Sequence, residues 1–210
     1  MLVLALDTAL TAATAVVADA GRVLAVRCRP MARGHQEAIA TLTREAMAEA
    51  SVAFRDLDRI GVTVGPGSFT GLRVGLAFAK GLALAWDTPL VGIGTLEALL
   101  ASVEGGRVLA AVDAGRGQVY LQLEGGRPQQ LPLEDALTLA EDFRPGLIVG
   151  SGAALLAQVA SGAKLEPLEY PIPGSLARLT MAAPKPNGPP KPLYLRAPDA
   201  KTLAERGIVR

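Results

Sequence analysis

Apolar and polar residues are distributed along the first thirty residues in a pattern that predicts three neighbouring strands. The segment Leu2 to Asp7 is apolar on both faces, which is typical of a central strand. Two further apolar segments, 12–19 and 22–28, flank a short turn at Ala20 and Gly21. Two apolar runs around such a turn predict a hairpin beside the first strand.

Helical spacing begins after the hairpin. Apolar positions from His35 to Ala50 lie near one face of a helix, and a strand over 59–65 leads to a second helix from about Thr70 to Trp86. A strand over 90–94 and a helix over 95–102 follow. The predicted order is three strands, helix, strand, helix, strand, helix.

The same order begins again in the second half of the chain. The stretch VLAAVDAGRGQVYLQLEGGRPQQL repeats the pattern of LVLALDTALTAATAVVADAGRVLAV, with Asp113 in the place of Asp7. We therefore predict an α/β fold with two duplicated mixed-sheet lobes, 1–103 and 104–210. In the second lobe we expect a turn at Gly150 to Gly152 and a helix over 153–160, with no clear periodicity after Leu165. The proline-rich stretch 184–192 should be an extended surface segment leading to PLYLRAPD (192–199).

The helix after the turn GPGSFTG has almost no polar side. Small residues recur at every fourth position, at Gly71, Gly75, Ala79 and Ala83, and such a stripe allows another helix to approach closely. The chain's own lobes could bury this helix, or it could form a helix-to-helix interface together with the helix at 35–50. On the second interpretation, Gly75→Leu should disrupt association more than folding. The predicted interface residues are His35, Ile39, Leu42, Gly71, Leu72, Gly75, Ala79 and Leu82.

The glycine-rich turn matches neither common nucleotide-binding fingerprint. Thr70 stands where GxxxxGK[ST] and GxGxxG both require glycine. The structural interpretation is that glycine permits a tight strand-to-helix turn and that Ser68 caps the helix. Weak candidates for a cofactor site remain at the ends of the matching strands and in the later turn: Asp7, Asp113, Gly150 and Gly152.

Composition excludes several kinds of chemistry. With one cysteine and one histidine, the chain has no internal disulfide and no histidine- or cysteine-rich metal cluster. A Ser-His-Asp triad could use only His35, and no GxSxG motif presents a serine. A formal net charge of +1 lacks the broad basic footprint of an independent nucleic-acid binder.

The N-terminus suggests a cytoplasmic protein. The apolar stretch MLVLALD has no basic leader and reaches Asp7 after six residues. This pattern fits neither a signal peptide nor a membrane span, and it predicts no membrane partner.

Several motifs together resemble the bacterial TsaB family, also called YeaZ, over nearly the whole chain. They are LALDT, ARGHQEAIATL, GPGSFTGLRVGLAFAKGLA, DAGRGQVY, VGSGA and a terminal PLYLR. The resemblance implies a two-lobed fold similar to the actin, Hsp70 and sugar-kinase group. It also implies a non-catalytic paralogue of TsaD that pairs with TsaD through first-lobe helices. With TsaE, the pair would place a threonylcarbamoyl group on the adenosine next to the anticodon of tRNAs that read ANN codons.

The resemblance also implies where chemistry is missing. TsaD carries a histidine pair, HxxxH, that binds its catalytic metal, whereas the matching positions here are His35 and Ile39. One imidazole makes a poor metal site, so we expect no catalytic and no metal-binding residue, and tRNA contact only through the complex. We expect no cofactor held tightly by this chain alone. For ATP or ADP the sequence leaves three possibilities open: binding in the cleft, binding at the interface with TsaD, or binding at neither place.

Other functions stay open on the residues. Without TsaD, the small-residue stripe could pair with itself in a homodimer. A different class of function is an independent ATPase or small-molecule kinase that uses Asp7, Asp113 and the turn at 150–152. A metalloprotease, an older label for the superfamily, is disfavoured by the count of metal ligands.

Overall fold

A computed structural model describes residues 1–20 and 22–195. The predicted turn residue Gly21 and the last part of the predicted PLYLRAPD segment, residues 196–199, lie outside the described residues. Within those ranges the chain forms two five-stranded mixed sheets with helices packed on them.

The first sheet is built around the apolar N-terminal strand, as predicted. Its strands are β1 (Leu2–Asp7), β2 (Ala12–Asp19), β3 (Arg22–Pro30), β4 (Arg59–Gly65) and β5 (Leu90–Gly94), in the order β3-β2-β1-β4-β5. Strand β1 pairs antiparallel with β2 and parallel with β4, so both of its edges are bonded. Because both of its faces are also covered, nearly every side chain of β1 is buried.

Three helices and one 3-10 turn belong to this half of the chain. They are α1 (His35–Glu49), α2 (Phe69–Trp86), α3 (Thr95–Leu100) and the turn at Phe54–Asp56. Helices α1 and α2 lie side by side on one face of the first sheet. The predicted helices match these within two residues at each end.

The second sheet repeats the first. Its strands are β6 (Val108–Gly115), β7 (Gln118–Leu123), β8 (Gln129–Pro132), β9 (Leu147–Val149) and β10 (Lys164–Glu166), in the order β10-β9-β6-β7-β8. Strand β6 pairs antiparallel with β7 and parallel with β9, as β1 does with β2 and β4. The predicted duplication is therefore confirmed at the level of strand order and direction.

The helices of the second half differ from the prediction. They are α4 (Leu133–Phe143), α5 (Ala153–Leu156) and α6 (Pro173–Ala182). The helix predicted over 153–160 ends at Leu156, because the chain must turn back to place β10 parallel to β9. Helices α4 and α6 were not predicted, although Pro173 at the first turn of α6 is a helix-start signal.

Each sheet uses a helix from the other half of the chain. Leu176 and Ala177 of α6 pack with Val3 and Ala5 of β1. Leu96 and Leu99 of α3 pack instead with Val108 and Ala110 of β6. The two lobes are therefore joined by interlocked cores. A boundary at residue 103 separates the strands of the two sheets, but helices α3 and α6 each pack on the sheet across that boundary.

Polar contacts reinforce this exchange. The Arg59 guanidinium of β4 donates to the carbonyl oxygens of Thr180 (3.0 Å), Met181 (3.3 Å) and Ala183 at the end of α6. The Ser175 hydroxyl donates to the carbonyl of Ala101, just after α3, at 2.8 Å. These bonds satisfy carbonyls that helix ends otherwise leave unpaired.

Candidate functional site

The glycine-rich turn brings α2 into direct contact with the loop that follows β1. A Cβ added to Gly67 would lie 2.4 Å from the carbonyl oxygen of Ala9, and one added to Gly71 would lie 2.0 Å from that of Thr8. The Ser68 side chain caps the helix by accepting from the Gly71 N–H at 3.2 Å. The structural interpretation of the turn is therefore confirmed: glycine is needed for close backbone approach.

The small-residue stripe of α2 faces the interior of the chain. Gly75 packs on the Thr8 side chain, and a Cβ there would lie 2.3 Å from Thr8 Oγ1. The expectation that Gly75→Leu would disrupt association more than folding is therefore corrected, because even one added carbon clashes with the buried Thr8 side chain. Of the eight residues predicted for an interface, only Leu82 is half-exposed; the other seven are buried: His35, Ile39, Leu42, Gly71, Leu72, Gly75 and Ala79.

A different face of α2 is open to solvent. Its ridge follows the same four-residue spacing, shifted by two positions, through Phe69, Arg73, Ala77, Gly81 and Ala85. Large apolar side chains lie in and beside it, with Leu84 87%, Phe69 48% and Trp86 47% exposed. We call this surface the outer face of α2.

In the described part of the chain, no helix combines the length and hydropathy that a membrane crossing needs.

The proline-rich segment runs beside α2 and contributes to the same surface. It carries no helix or strand, as predicted, and the Leu193 N–H donates to the Val64 carbonyl at 2.7 Å. Tyr194 then packs on Phe69, with ring centroids 5.1 Å apart. The Arg73 guanidinium lies 3.7 Å from the centre of the Phe69 ring, and its Nε donates to Tyr194 Oη at 3.2 Å. Sequence reasoning missed this cluster because Phe69 and Tyr194 are far apart along the chain.

A cleft of about 870 Å³ lies between the two lobes. Its walls come from the loop after β1, the start of α2, the end of β6 and the Leu193–Leu195 segment. Most of the lining is apolar or aromatic, and its charged side chains are Arg73 and Asp113. Of the four candidate cofactor residues, Asp113 alone lines this cleft.

Asp7 is buried beneath the loop after β1. Its Oδ1 accepts from Thr63 Oγ1 at 2.6 Å and from the Ala9 N–H at 2.9 Å. Among the described residues its Oδ2 has no hydrogen-bond partner. Burial raises the pKa of the Asp7 carboxyl above its ordinary value, and the bonds from Thr63 and Ala9 and the charge of His35 offset only part of that rise.

The other candidates serve the turns of the second lobe. Asp113 Oδ1 accepts from the Gly115 N–H at 2.7 Å, which shapes the turn between β6 and β7. Gly150 has a φ of +109°, and a Cβ there would lie 2.2 Å from the Ala111 carbonyl oxygen. A Cβ on Gly152 would lie 3.1 Å from the Ala111 carbonyl carbon. Both glycines let the turn after β9 pass close under β6.

His35 begins α1 and contacts the loop after β1. Its Nε2 lies 3.1 Å from the carbonyl oxygen of Leu10, and only 7% of the residue is exposed. Ile39, one turn later, packs in the first core. No group of three or more histidine, cysteine or acidic side chains is placed to hold a metal ion in residues 1–20 and 22–195.

Comparisons of the sequence identify its relatives. The family model described as TsaD, tRNA N6-adenosine threonylcarbamoyltransferase, matches residues 26–140. An uncharacterised protein of Mycobacterium tuberculosis is 37% identical over 207 residues, which cover 96% of this chain and 95% of that protein. The Escherichia coli tRNA threonylcarbamoyladenosine biosynthesis protein TsaB is 35% identical over 124 residues, covering 57% of this chain and 53% of that protein.

Solved structures agree with the sequence matches. YeaZ from Pseudomonas aeruginosa superposes with a TM-score of 0.77 at 26% identity, covering 92% of this chain and 99% of that one. The ROK hexokinase of Thermus thermophilus superposes with a TM-score of 0.52 at 17% identity. The superposition covers 87% of this chain and 98% of the hexokinase chain, and the likeness is one of fold alone. The predicted two-lobed fold of the actin, Hsp70 and sugar-kinase group is therefore confirmed. With the sequence matches, the structure shows that the chain belongs to the TsaB (YeaZ) family of tRNA threonylcarbamoyladenosine biosynthesis proteins.

Proposed function

We propose that this chain is a non-catalytic subunit that binds and activates a TsaD-type paralogue. The paralogue would then transfer the threonylcarbamoyl group to the adenosine next to the anticodon of tRNAs that read ANN codons. The observation that carries the proposal is the outer face of α2. Leu84 there is 87% exposed, and exposed apolar surface of this kind marks a contact with a partner.

The character of the outer face suits a helix-to-helix contact. Ala77, Gly81 and Ala85 bring the α2 backbone close to the surface, and a Cβ on Gly81 would meet no atom within 4 Å. Trp86 stacks on Phe54 with centroids 6.3 Å apart, which holds an aromatic anchor ready at one end of the face. Preordered aromatic side chains cost little entropy on binding, so they favour a stable complex.

The contacts of Asp7 and His35, beside the loop after β1, favour a non-catalytic role for this chain. Asp7 is fully buried and His35 is 7% exposed. Asp7 Oδ1 accepts from Ala9 and Thr63, and His35 Nε2 lies against the Leu10 carbonyl, so these contacts stay within the chain. A catalytic carboxylate or imidazole must instead reach a substrate or metal. The chemistry of the reaction is therefore proposed to belong to the paralogue.

The remaining features of the complex are part of the same proposal. TsaE joins the pair, tRNA is contacted only through the complex, and the complex works in the cytoplasm. ATP or ADP binds at the interface between subunits rather than tightly to this chain alone. When the paralogue is absent, the outer face of α2 is the surface through which two copies would form a homodimer.

Leu84→Glu tests the proposal. A charge placed on the apolar part of a buried contact must be desolvated without a partner, so the variant should bind the TsaD-type paralogue at least ~10-fold more weakly. Binding would be measured by calorimetry, and tRNA modification by the reconstituted proteins would be followed in parallel. The thermal midpoint of the isolated chain should stay within about 1 °C, because Leu84 makes few contacts in the free subunit.

Leu165→Glu is the matched control, because Leu165 is 37% exposed on β10 of the other lobe. It should leave binding and tRNA modification unchanged. Equal binding by the wild type and Leu84→Glu would show that the outer face of α2 is not the contact. No binding by the wild type would refute the proposed function itself.

A further inference from the structure

We propose that charge on the outer face of α2 selects a paralogous partner with an acidic matching helix over a second copy of this chain. The inference rests on the proposed function, since it names the chemistry of the partner at the same surface. It assigns a specificity role to Arg73 and Lys80. Both side chains are exposed on α2.

The outer face carries positive charge without compensation from its own helix. Helix α2 has no acidic residue between Phe69 and Trp86. The neighbouring helix α1 carries three exposed acidic residues. Glu45 and Glu49 pair with Arg27 of β3, and Glu37, in the first turn, accepts from Gln36 Nε2 at 2.8 Å. The charges that α2 itself contributes to its outer face are therefore two cations, Arg73 and Lys80, on an apolar surface.

Two-fold pairing of this face with itself brings like charges together. A symmetric antiparallel contact has a two-fold axis that passes beside one position of each helix. A residue four positions before that point then faces the residue four positions after it on the second copy. The exposed ridge from Phe69 to Ala85 is centred on Ala77. With the axis there, Arg73 of one copy faces position 81 of the other, within about 1.5 Å along the helix of Lys80. Symmetry repeats this repulsion, so it acts twice.

Moving the two-fold axis from Ala77 to Lys80 does not remove the conflict. If the axis moves to Lys80, the two Lys80 side chains face each other directly. In that register Asp87, at the end of α2, comes opposite Arg73 of the second copy and offsets part of the repulsion. The centred register, which overlaps the whole exposed ridge, has no such compensation.

Arg73 cannot easily avoid the conflict by changing rotamer. Its guanidinium is stacked on Phe69 and bonded to Tyr194 through Nε. Like charges that meet across an interface are costly, whereas opposite charges in the same places add specificity. The matching partner is a paralogous helix with Glu or Asp at the positions facing Arg73 and Lys80.

Charge reversal at one of the two positions tests the inference. Lys80→Glu converts both repulsive pairs of the centred homodimer into attractive Arg73 to Glu pairs. We expect self-association, measured by sedimentation equilibrium, to become at least ~10-fold tighter than in the wild type. Binding to the TsaD-type paralogue should weaken by about the same factor. Raising the salt from about 0.05 M to about 0.5 M should strengthen wild-type self-association and weaken that of the variant.

Two further variants make the result specific. Arg127→Glu changes the net charge equally at an exposed turn of the second lobe and should behave as the wild type. The double variant Arg73→Glu with Lys80→Glu restores like charges and should return self-association to the wild-type level.

Three outcomes would overturn the inference. They are wild-type self-association as tight as that of Lys80→Glu, an equal gain in Arg127→Glu, or unweakened paralogue binding by Lys80→Glu. If instead the wild type fails to bind the paralogue, the proposed function fails. The self-association results still decide whether Arg73 and Lys80 repel each other across a two-fold contact of this face.

Discussion

Replacing Gly75 by alanine should destabilise the fold, even though alanine is the better helix former. The added Cβ would lie 2.3 Å from Thr8 Oγ1, far inside van der Waals contact. Thr8 is 1% exposed, and its hydroxyl donates to the Gly71 carbonyl at 2.8 Å. The hydroxyl must therefore move and lose its bond, or α2 must shift away from β1.

The magnitude follows from three contributions. Overpacking costs about 1–3 kcal/mol, and a buried hydroxyl without its partner costs about 1–3 kcal/mol. Alanine in place of glycine returns about 1 kcal/mol of helix propensity. The first two costs are alternatives, because either α2 shifts or the hydroxyl moves, and the upper value of one, about 3 kcal/mol, less the gain in propensity leaves a net loss of about 2 kcal/mol in the free energy of unfolding. This loss lowers the thermal midpoint by about 4–8 °C for a chain of this size.

A double-mutant cycle locates the cause. The other atoms nearest to the new Cβ are Thr8 Cβ and Val62 Cγ2, both at an ordinary 3.6 Å. In a Thr8→Ala background, Gly75→Ala should therefore be neutral or stabilising, with a coupling energy of about 2 kcal/mol. Gly81→Ala on the open side of α2 is the control and should raise stability by up to ~1 kcal/mol.

The measurements are urea unfolding and differential scanning calorimetry of the four proteins of the cycle and of the control. A Gly75→Ala protein as stable as the wild type would refute the reasoning about close approach. Equal losses with and without Thr8→Ala would show that the hydroxyl is not the obstacle.

Asp7→Asn should become more favourable, relative to wild type, as pH rises. Because burial raises the pKa of Asp7, the unfolded chain loses this proton at lower pH than the folded chain, so wild-type stability falls as pH rises from about 4 through the raised pKa. Thermal midpoints at pH 4 and pH 8 check this, and an equal difference at both pH values would contradict it. Arg59→Met should lower the thermal midpoint by about 2–6 °C, because it leaves the carbonyls at the end of α6 without their donor. Arg55→Met is its control, since the Arg55 side chain is 77% exposed and lies 3.9 Å from the Asp56 carboxylate. Equal melting of the two variants would exclude the proposed role of Arg59.

The periodicity of the chain was sufficient to predict the strands of the first lobe and their repetition in the second, although not the short strand β10. Apolar β1, the alternating hairpin and the repeat at Asp113 each have a local pattern that depends on few other residues. The helices of the second lobe were harder to predict: α5 was predicted too long, and α4 and α6 were not predicted. The lengths of α5 and α6 depend on where β10 and the first sheet lie, and no local pattern encodes those positions.

The candidate site shows where local patterns stop being informative. Helix α2 is apolar nearly all round, so hydrophobic periodicity could not distinguish the face that meets Thr8 from the face that meets solvent. Asp7 and Asp113 occupy matching places in the repeat, yet one is buried against Thr63 and the other lines the cleft. Their difference comes from neighbours on other strands and loops.

The sequence by itself determined the duplicated α/β architecture, the glycine requirement of the turn after β4 and the missing second histidine at Ile39. These features depend on spacing and residue type, which a chain carries along its length. Only the tertiary structure decided that Gly75 faces inward, that α3 and α6 exchange lobes, and that Phe69, Arg73 and Tyr194 form one cluster. Burial and contact depend on distances in space, and those are fixed only when distant segments pack together.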